Sequence, residues 1–138
     1  MSSDENRDTL IRLLEMAGPA LDFEYIDQVV HPDVMLPDHL PGGGQGREAL
    51  KAGLRAYADG YEGTTSVEDA VVDGDKVGVR IVTNAKHTGE LFGIRATGKD
   101  LHVDEIMIAE FRDGRIVRFS RVADLYSLMH QLGGVLRP

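Results

Sequence analysis

The chain has 138 residues, a formal net charge of -8 and no cysteine. This length is enough for one domain with a hydrophobic core, and we expect a single domain over residues 1–138. The negative charge argues against nucleic-acid binding, which needs Lys and Arg to neutralise phosphates. The lack of cysteine excludes disulfides, thiolate metal sites and a cysteine nucleophile.

No apolar run approaches the ~20 residues that a transmembrane helix needs. The N-terminal segment MSSDENRD is acidic and has no apolar stretch of the signal-peptide type. We therefore expect a cytoplasmic protein that does not associate with membranes.

The first part of the chain has the spacing of helices. Apolar residues at helical intervals predict a helix over residues 9–16, which Gly18 and Pro19 end. A second short helix is predicted over residues 23–30, with Asp22 as its N-cap.

A short apolar run over residues 34–37 then predicts the first strand. The Pro- and Gly-rich segment that follows, residues 37–46, predicts a loop. Leu50, Leu54 and Tyr57 recur at helical spacing, which predicts an amphipathic helix over residues 47–57.

From Thr64 onward the apolar period changes to two, which is typical of strands. The tripeptide Asp73-Gly74-Asp75 predicts one hairpin. Two long strands about the turn at Asp113-Gly114 form another. Helices followed by meandering antiparallel strands predict an α+β domain, with helices on one face of the sheet.

The last predicted element is a helix over residues 125–132. Asp124 precedes it as a plausible N-cap, and Gly133-Gly134 follows as its end.

The register of the last hairpin decides which side chains share a face. A three-residue loop with Gly114 in a bulge sets Glu105 opposite Arg121, and Met107 opposite Phe119. A two-residue loop leaves both charges without a cross-strand partner. We prefer the three-residue loop, which gives an apolar face with one opposite-charge pair.

That face is typical of a small-molecule pocket, where apolar walls carry a few convergent polar groups. In a functional interpretation, Glu105 is a carboxylate base and Arg121 stabilises a developing oxyanion. The alternative is a structural salt bridge near the sheet edge. Burial of such a pair contributes little net stability, because desolvation offsets most of the attraction.

Further side chains are candidates for the same pocket. His87 ends a strand and is either an auxiliary acid or a strand-end histidine that fixes the following turn. His39 lies on the loop that could cover the pocket. The remaining candidates are side chains expected to line the cavity and bind substrate: Met35, Leu36, Tyr57, Met107 and Phe119.

We expect no metal site. His102 and Asp104 alternate on one strand, but no third ligand follows at a recognisable spacing.

The outward face of the last hairpin suggests a protein partner. Ile106, Ile108, Ile116 and Val122 share this face with a few charged residues and could pack against a second copy of the chain. Such a contact would make the protein a homodimer.

Several motifs together resemble the SnoaL-like polyketide cyclases, a branch of the ketosteroid-isomerase-like (nuclear transport factor two-like) fold. They cover most of the chain from residue 25 on: residues 31–33 (HPD), 46–50 (GREAL), 73–77 (DGDKV), 87–94 (HTGELFGI), 97–99 (TGK), 113–116 (DGRI) and 123–125 (ADL).

The resemblance implies a cone-shaped α+β barrel, usually dimeric, with a pocket between the concave sheet and the helices. Members of the family act without metal or organic cofactor. The cyclases close a ring by intramolecular aldol addition, in which a carboxylate removes a proton next to a carbonyl.

The chain departs from the family at pocket positions. Arg121 stands where those cyclases carry their aspartate base, Met107 and Phe119 stand where histidines are expected, and Leu36 replaces a polar residue. If the protein is a catalyst, its carboxylate has moved to Glu105.

The leading hypothesis is a cofactor-free cyclase or isomerase of a polyketide-like, apolar carbonyl substrate. Glu105 is its base, Arg121 its charge stabiliser and His87 an auxiliary acid. The alternatives are a hydroxylase, an epoxide-hydrolase-type enzyme that uses Asp104 and Arg121, and a small-molecule-binding protein without catalysis.

Overall fold

The computed structural model describes residues 2–16, 20–38 and 40–133. These ranges contain four helices and five strands. In chain order the elements are α1 (Ser3–Glu15), α2 (Phe23–Val29), β1 (Val30–Met35), α3 (Arg47–Gly60), β2 (Tyr61–Asp73), β3 (Lys76–His87), β4 (Asp100–Arg112), β5 (Arg115–Ala123) and α4 (Leu125–Gln131). The predicted α+β class is confirmed.

Helix capping explains where α1 begins. The helix starts at Ser3, earlier than predicted, because the Ser2 side chain accepts a hydrogen bond from the backbone N–H of Glu5. The predicted stop at Gly18 and Pro19 lies outside the described residues.

The other predicted caps are confirmed. The Asp22 carboxylate accepts a hydrogen bond from the Tyr25 N–H at the start of α2, and the Asp124 carboxylate accepts one from the Ser127 N–H at the start of α4. Gly133 follows α4 with a φ of 76°, as expected of a helix-ending glycine. Gly134 lies outside the described residues.

The five strands form one sheet in the order β1-β5-β4-β3-β2. β1 pairs with β5 in parallel, and the other neighbours are antiparallel. Helix α1 packs on β2 and β3, α3 packs on β1 and β2, and α4 packs on β4. The helices therefore cover the inner face of the sheet, where the core and the cavity lie.

The last hairpin has a different turn from the one we predicted. Asp113 and Gly114 have φ angles of 52° and 78°. They form a two-residue loop that joins Arg112 to Arg115. Turns with two positive φ angles match the twist of the flanking strands, so this loop is favoured over the three-residue one.

A β-bulge then shifts the pairing of β4 with β5. Phe111 pairs with Ile116, but the next residue back, Glu110, pairs with Arg118. Val117 is therefore an extra residue on β5. The bulge reverses the alternation, so that Ile116 before it and Phe119 and Arg121 beyond it all face the inner side of the sheet.

The predicted cross-strand pairs are consequently wrong, although the predicted face is right. Arg121 lies opposite Met107, and Glu105 lies opposite Ala123. Phe119 lies opposite Ala109. Arg121 and Glu105 are diagonal neighbours on the same face, still within reach of long side chains.

The bulge also changes the outward face. Ile106, Ile108 and Val122 are exposed by 58%, 47% and 77%, but Ile116 is fully buried in the core. The placement of Ile116 on the outer face was therefore wrong. The homodimer stays a prediction.

None of the helices in the described ranges is long and apolar enough to cross a membrane.

Gly63 permits a close approach of β2 to β3. A Cβ atom at this position would overlap the backbone of Asn84 and Ala85. We predict that Gly63→Ala lowers the free energy of unfolding by about 1–3 kcal/mol, because the two strands must separate. Urea unfolding measures this loss.

The neighbouring exposed residue offers the control. Thr64→Ala, on the opposite face, should change stability by no more than about 0.5 kcal/mol. Equal stability of the Gly63→Ala protein and the unmodified chain would contradict the close approach.

Candidate functional site

A cavity of about 120 Å³ lies between the concave face of the sheet and the helices. Leu13 and Leu14 of α1, Leu50 and Leu54 of α3, and Leu128 of α4 form its helical wall. Most of the lining is apolar. The polar side chains that line it are Tyr57, Tyr61, Thr65, Thr83, Glu105 and Arg121.

Glu105 and Arg121 form an ion pair on the sheet side of this cavity. The Arg121 Nε atom lies 2.6 Å from Glu105 Oε2, and the two side chains are only 11% and 16% exposed. Arg121 Nη2 also donates a hydrogen bond of 3.2 Å to the Tyr57 hydroxyl oxygen. The guanidinium therefore links a carboxylate on β4 to a phenol at the end of α3.

Burial and pairing act in opposite directions on these charges. Burial raises the pKa of Glu105 above its ordinary value, and the attraction and hydrogen bond of Arg121 only partly oppose this rise. Burial lowers the pKa of Arg121, but Glu105 and Tyr57 raise it by more, so the pKa of Arg121 ends above its ordinary value. The result is a carboxylate that is more basic than a solvent-exposed glutamate, beside a permanent cation.

A second polar group lies on β2 and β3. The Thr65 and Thr83 hydroxyl oxygens are 3.0 Å apart and form a hydrogen bond. Burial raises the pKa of Tyr61 to about 12, reinforced by Tyr57 and Glu105 and opposed by a hydrogen bond with Thr65. Tyr61 is therefore an uncharged hydrogen-bonding group at neutral pH.

The structure brings together most of the residues predicted for the pocket. Besides the ion pair and Tyr57, the cavity is lined by three of the predicted apolar positions: Leu36, Met107 and Phe119. Met35 was predicted wrongly. Its side chain is 56% exposed, because alternation along β1 turns its neighbours inward. His39 lies outside the described residues.

His87 is fully buried but does not line the cavity with Glu105. Its Nδ1 atom lies 2.9 Å from the Thr97 hydroxyl and accepts a hydrogen bond from the Thr97 N–H. An imidazole that accepts at Nδ1 carries its proton on Nε2 when neutral. This geometry favours the alternative role, a strand-end histidine that fixes the following turn.

The sequence analysis assigned none of Tyr61, Thr65 and Thr83 to the site. Thr83 shares the inward period of β3, and Tyr61 and Thr65 share that of β2, so alternation could have placed all three on the concave face. The signal was weak because threonine is favoured in strands in general and is mostly exposed, so a threonine does not mark a buried face.

Asp104 points away from the cavity. Its carboxylate lies 3.4 Å from His102 Nε2 and 3.9 Å from Arg80, and all three side chains are at least half exposed. This excludes the epoxide-hydrolase arrangement in which Asp104 shares the pocket with Arg121.

Comparisons with known proteins agree on the family and the fold. A model of the SnoaL-like polyketide cyclase family matches residues 9–132. A search of curated protein sequences found no match.

Three solved structures illustrate the fold. TsrD from Streptomyces laurentii is 26% identical, with a TM-score of 0.87 over 98% of this chain and 99% of that one. IdmH from Streptomyces antibioticus, a proposed polyketide cyclase, is 28% identical, with a TM-score of 0.78 over 93% and 98%. AclR from Streptomyces galilaeus, a proposed hydroxylase, is 19% identical, with a TM-score of 0.82 over 99% and 87%, and this likeness shows the fold alone.

Removal of the cation should expose the cost of the buried carboxylate. We predict that Arg121→Met destabilises the protein by about 3–5 kcal/mol at neutral pH, because Glu105 is left charged and unpaired. Burial raises the folded-state pKa of Glu105 above its unfolded value. Protonated Glu105 therefore stabilises the folded state at low pH, and this contribution is lost as pH rises through the folded-state pKa. The stability of Arg121→Met should accordingly fall as pH rises.

Urea unfolding as a function of pH checks this prediction, with the double variant Glu105→Leu/Arg121→Met as the control. The double variant should recover much of the stability and lose the pH dependence. A deficit in Arg121→Met that does not depend on pH would show that Glu105 is not its cause.

Proposed function

The chain belongs to the SnoaL-like polyketide cyclase family, and we propose that it is an acid–base cyclase or isomerase of an apolar carbonyl compound of the polyketide type. The proposal depends on one observation above all. A buried carboxylate of raised pKa, Glu105, lies beside the guanidinium of Arg121 on the wall of an apolar cavity.

Glu105 takes the role of general base. Its carboxylate removes a proton from the carbon next to a substrate carbonyl, and the electrons of the C–H bond form a C=C bond. The carbonyl π electrons move to the oxygen, which becomes an enolate. A carboxylate with a raised pKa is better matched to this weakly acidic proton than an exposed glutamate.

Arg121 and Tyr57 take the role of the oxyanion site. Arg121 keeps its positive charge, and its Nη2 already donates to the Tyr57 hydroxyl. A substrate oxygen at this position would meet a fixed cation in surroundings of low dielectric constant, where the attraction exceeds that in water.

Two outcomes follow from the enolate. In an isomerisation, protonated Glu105 returns its proton to a different carbon of the substrate. In a cyclisation, the enolate carbon attacks a second carbonyl of the same molecule, and the new alkoxide takes the proton from Glu105. Both sequences restore the carboxylate and need no oxidant or reductant.

Hydrogen–deuterium exchange tests the base directly. We predict that the protein accelerates exchange of the methyl protons of acetophenone in D2O, measured by proton NMR. Glu105→Gln should lower the rate by about 10²–10⁴-fold, because the amide cannot accept the proton.

Asp104→Asn is the matched control, since Asp104 lies on the same strand but faces outward. Asp104→Asn should catalyse the exchange of acetophenone protons at the rate of the unmodified protein. Equal rates for Glu105→Gln and the unmodified protein would refute the role of Glu105.

The pH profile gives an independent test. The exchange rate should fall on acidification, because only the ionised carboxylate is a base. Since burial raises the pKa of Glu105, the half-maximal rate should lie above the ordinary glutamate value of 4.5. A midpoint at or below that value would contradict the proposed environment.

The product of a larger substrate distinguishes the reaction classes. Incubation with an anthraquinone-type polyketide ester, followed by chromatography and mass spectrometry, should give a new product of unchanged mass. Gain of one oxygen would indicate hydroxylation instead, and gain of water would indicate hydrolysis. Retention of the ester without conversion would favour a binding protein.

A further inference from the structure

The hydroxyl pair of Thr65 and Thr83 has no part in the proton transfer proposed above. Both side chains line the cavity, and their oxygens are hydrogen-bonded at 3.0 Å. Apart from Tyr61, which is hydrogen-bonded with Thr65, the wall around them is formed by apolar side chains: Ile81, Ala85, Leu101 and Val103. Valine has nearly the shape of threonine and would avoid the cost of placing a hydroxyl in such surroundings.

The hydrogen bonds among these hydroxyls leave one proton without an acceptor. Thr65 bonds Thr83 and also Tyr61, so three hydroxyls carry three protons and the two bonds among them use two. The third proton can be donated to another oxygen. Because both threonines line the cavity, that donor is available to a molecule bound there.

The sheet register places this pair at the opposite end of the polar row from the cation. Thr83 pairs with Val103 while Glu105 pairs with Ile81, so Thr83 and Glu105 are diagonal neighbours on one face, about 7 Å apart. Arg121 lies diagonally on the other side of Glu105, on β5. The base therefore stands between a guanidinium and a pair of hydroxyls.

The cavity between these ends has the size of one ring. Its volume of about 120 Å³ is of the order of cavities that accept a benzene molecule, roughly 150 Å³. The charges on its wall cancel, because Glu105 and Arg121 pair with each other. A neutral, ring-sized group fits both the volume and the charge.

We infer that the Thr65–Thr83 pair is a second oxygen-binding subsite, and that the substrate presents a neutral ring with two oxygen substituents on opposite sides. One oxygen, the carbonyl, lies at Arg121 and Tyr57. The other, a carbonyl or hydroxyl, lies at the threonine pair. The assignment of the first oxygen rests on the proposed function, and the second subsite rests on the threonine geometry.

Two probes that differ by one oxygen test the subsite. We compare the Kd of acetophenone with that of 4-hydroxyacetophenone by calorimetry at about pH 6, where a phenol is uncharged. The unmodified protein should bind the hydroxylated probe about tenfold more tightly, the effect of one buried hydrogen bond of about 1.4 kcal/mol. In Thr65→Val/Thr83→Val this preference should disappear, while the Kd of acetophenone stays within about twofold.

Matched variants separate recognition from structure. Thr64→Val, on the exposed face of the same strand, should keep the full preference. Thr83→Ser, which retains the hydroxyl, should keep most of it, and this variant preserves the test if the double valine variant does not fold.

The binding results support or overturn the threonine subsite. Equal Kd values for both probes in the unmodified protein, or no binding of either at millimolar concentration, would overturn the subsite. An equal loss of affinity for both probes in the valine variant would make the pair purely structural. Because the readout is binding, a retained preference without deuterium exchange would remove the proposed function and leave the subsite standing.

Discussion

The cavity is organised around one ion pair, Glu105–Arg121, held on the inner face of the sheet. Such a pair contributes little to stability, because removing two charges from water costs about as much as their attraction returns. The sheet must therefore supply the geometry, and it does so through the bulge at Val117. This extra residue turns Ile116 into the core and still leaves Arg121 diagonal to the carboxylate.

The apolar surroundings of the pair make its carboxylate more basic. Leucines from α1, α3 and α4 cover the concave face and exclude much of the water. The same burial that lowers the contribution of the pair to stability also raises the pKa of Glu105. Related cyclases are expected to carry an aspartate at the position of Arg121. Here a cation stands there, and the carboxylate lies diagonally across the hairpin on β4.

Much of this arrangement follows from local signals. The caps Asp22 and Asp124 and the inward period of β4 could be predicted, because each depends on neighbours along the chain or on strand alternation. The shared face of Glu105 with Arg121 was predicted from a three-residue loop, but the bulge at Val117 produces it. Predictions failed where a shift of one residue along a strand changes the face that a side chain takes. Met35 faces solvent because strand alternation turns its neighbours Val34 and Leu36 inward.

The sequence by itself determined the α+β class, the family resemblance and the residue types available for acid–base chemistry, because hydrophobic periods and short motifs are properties of the chain. Only the tertiary structure decided which polar groups meet. A β-bulge inserts one extra residue, so strand alternation read from the sequence does not place the side chains beyond it. Likewise Tyr57 meets Arg121, and Thr65 meets Thr83, through contacts between elements far apart in sequence. His87 shows the same limit, since its partner Thr97 lies on a loop whose path no periodicity specifies.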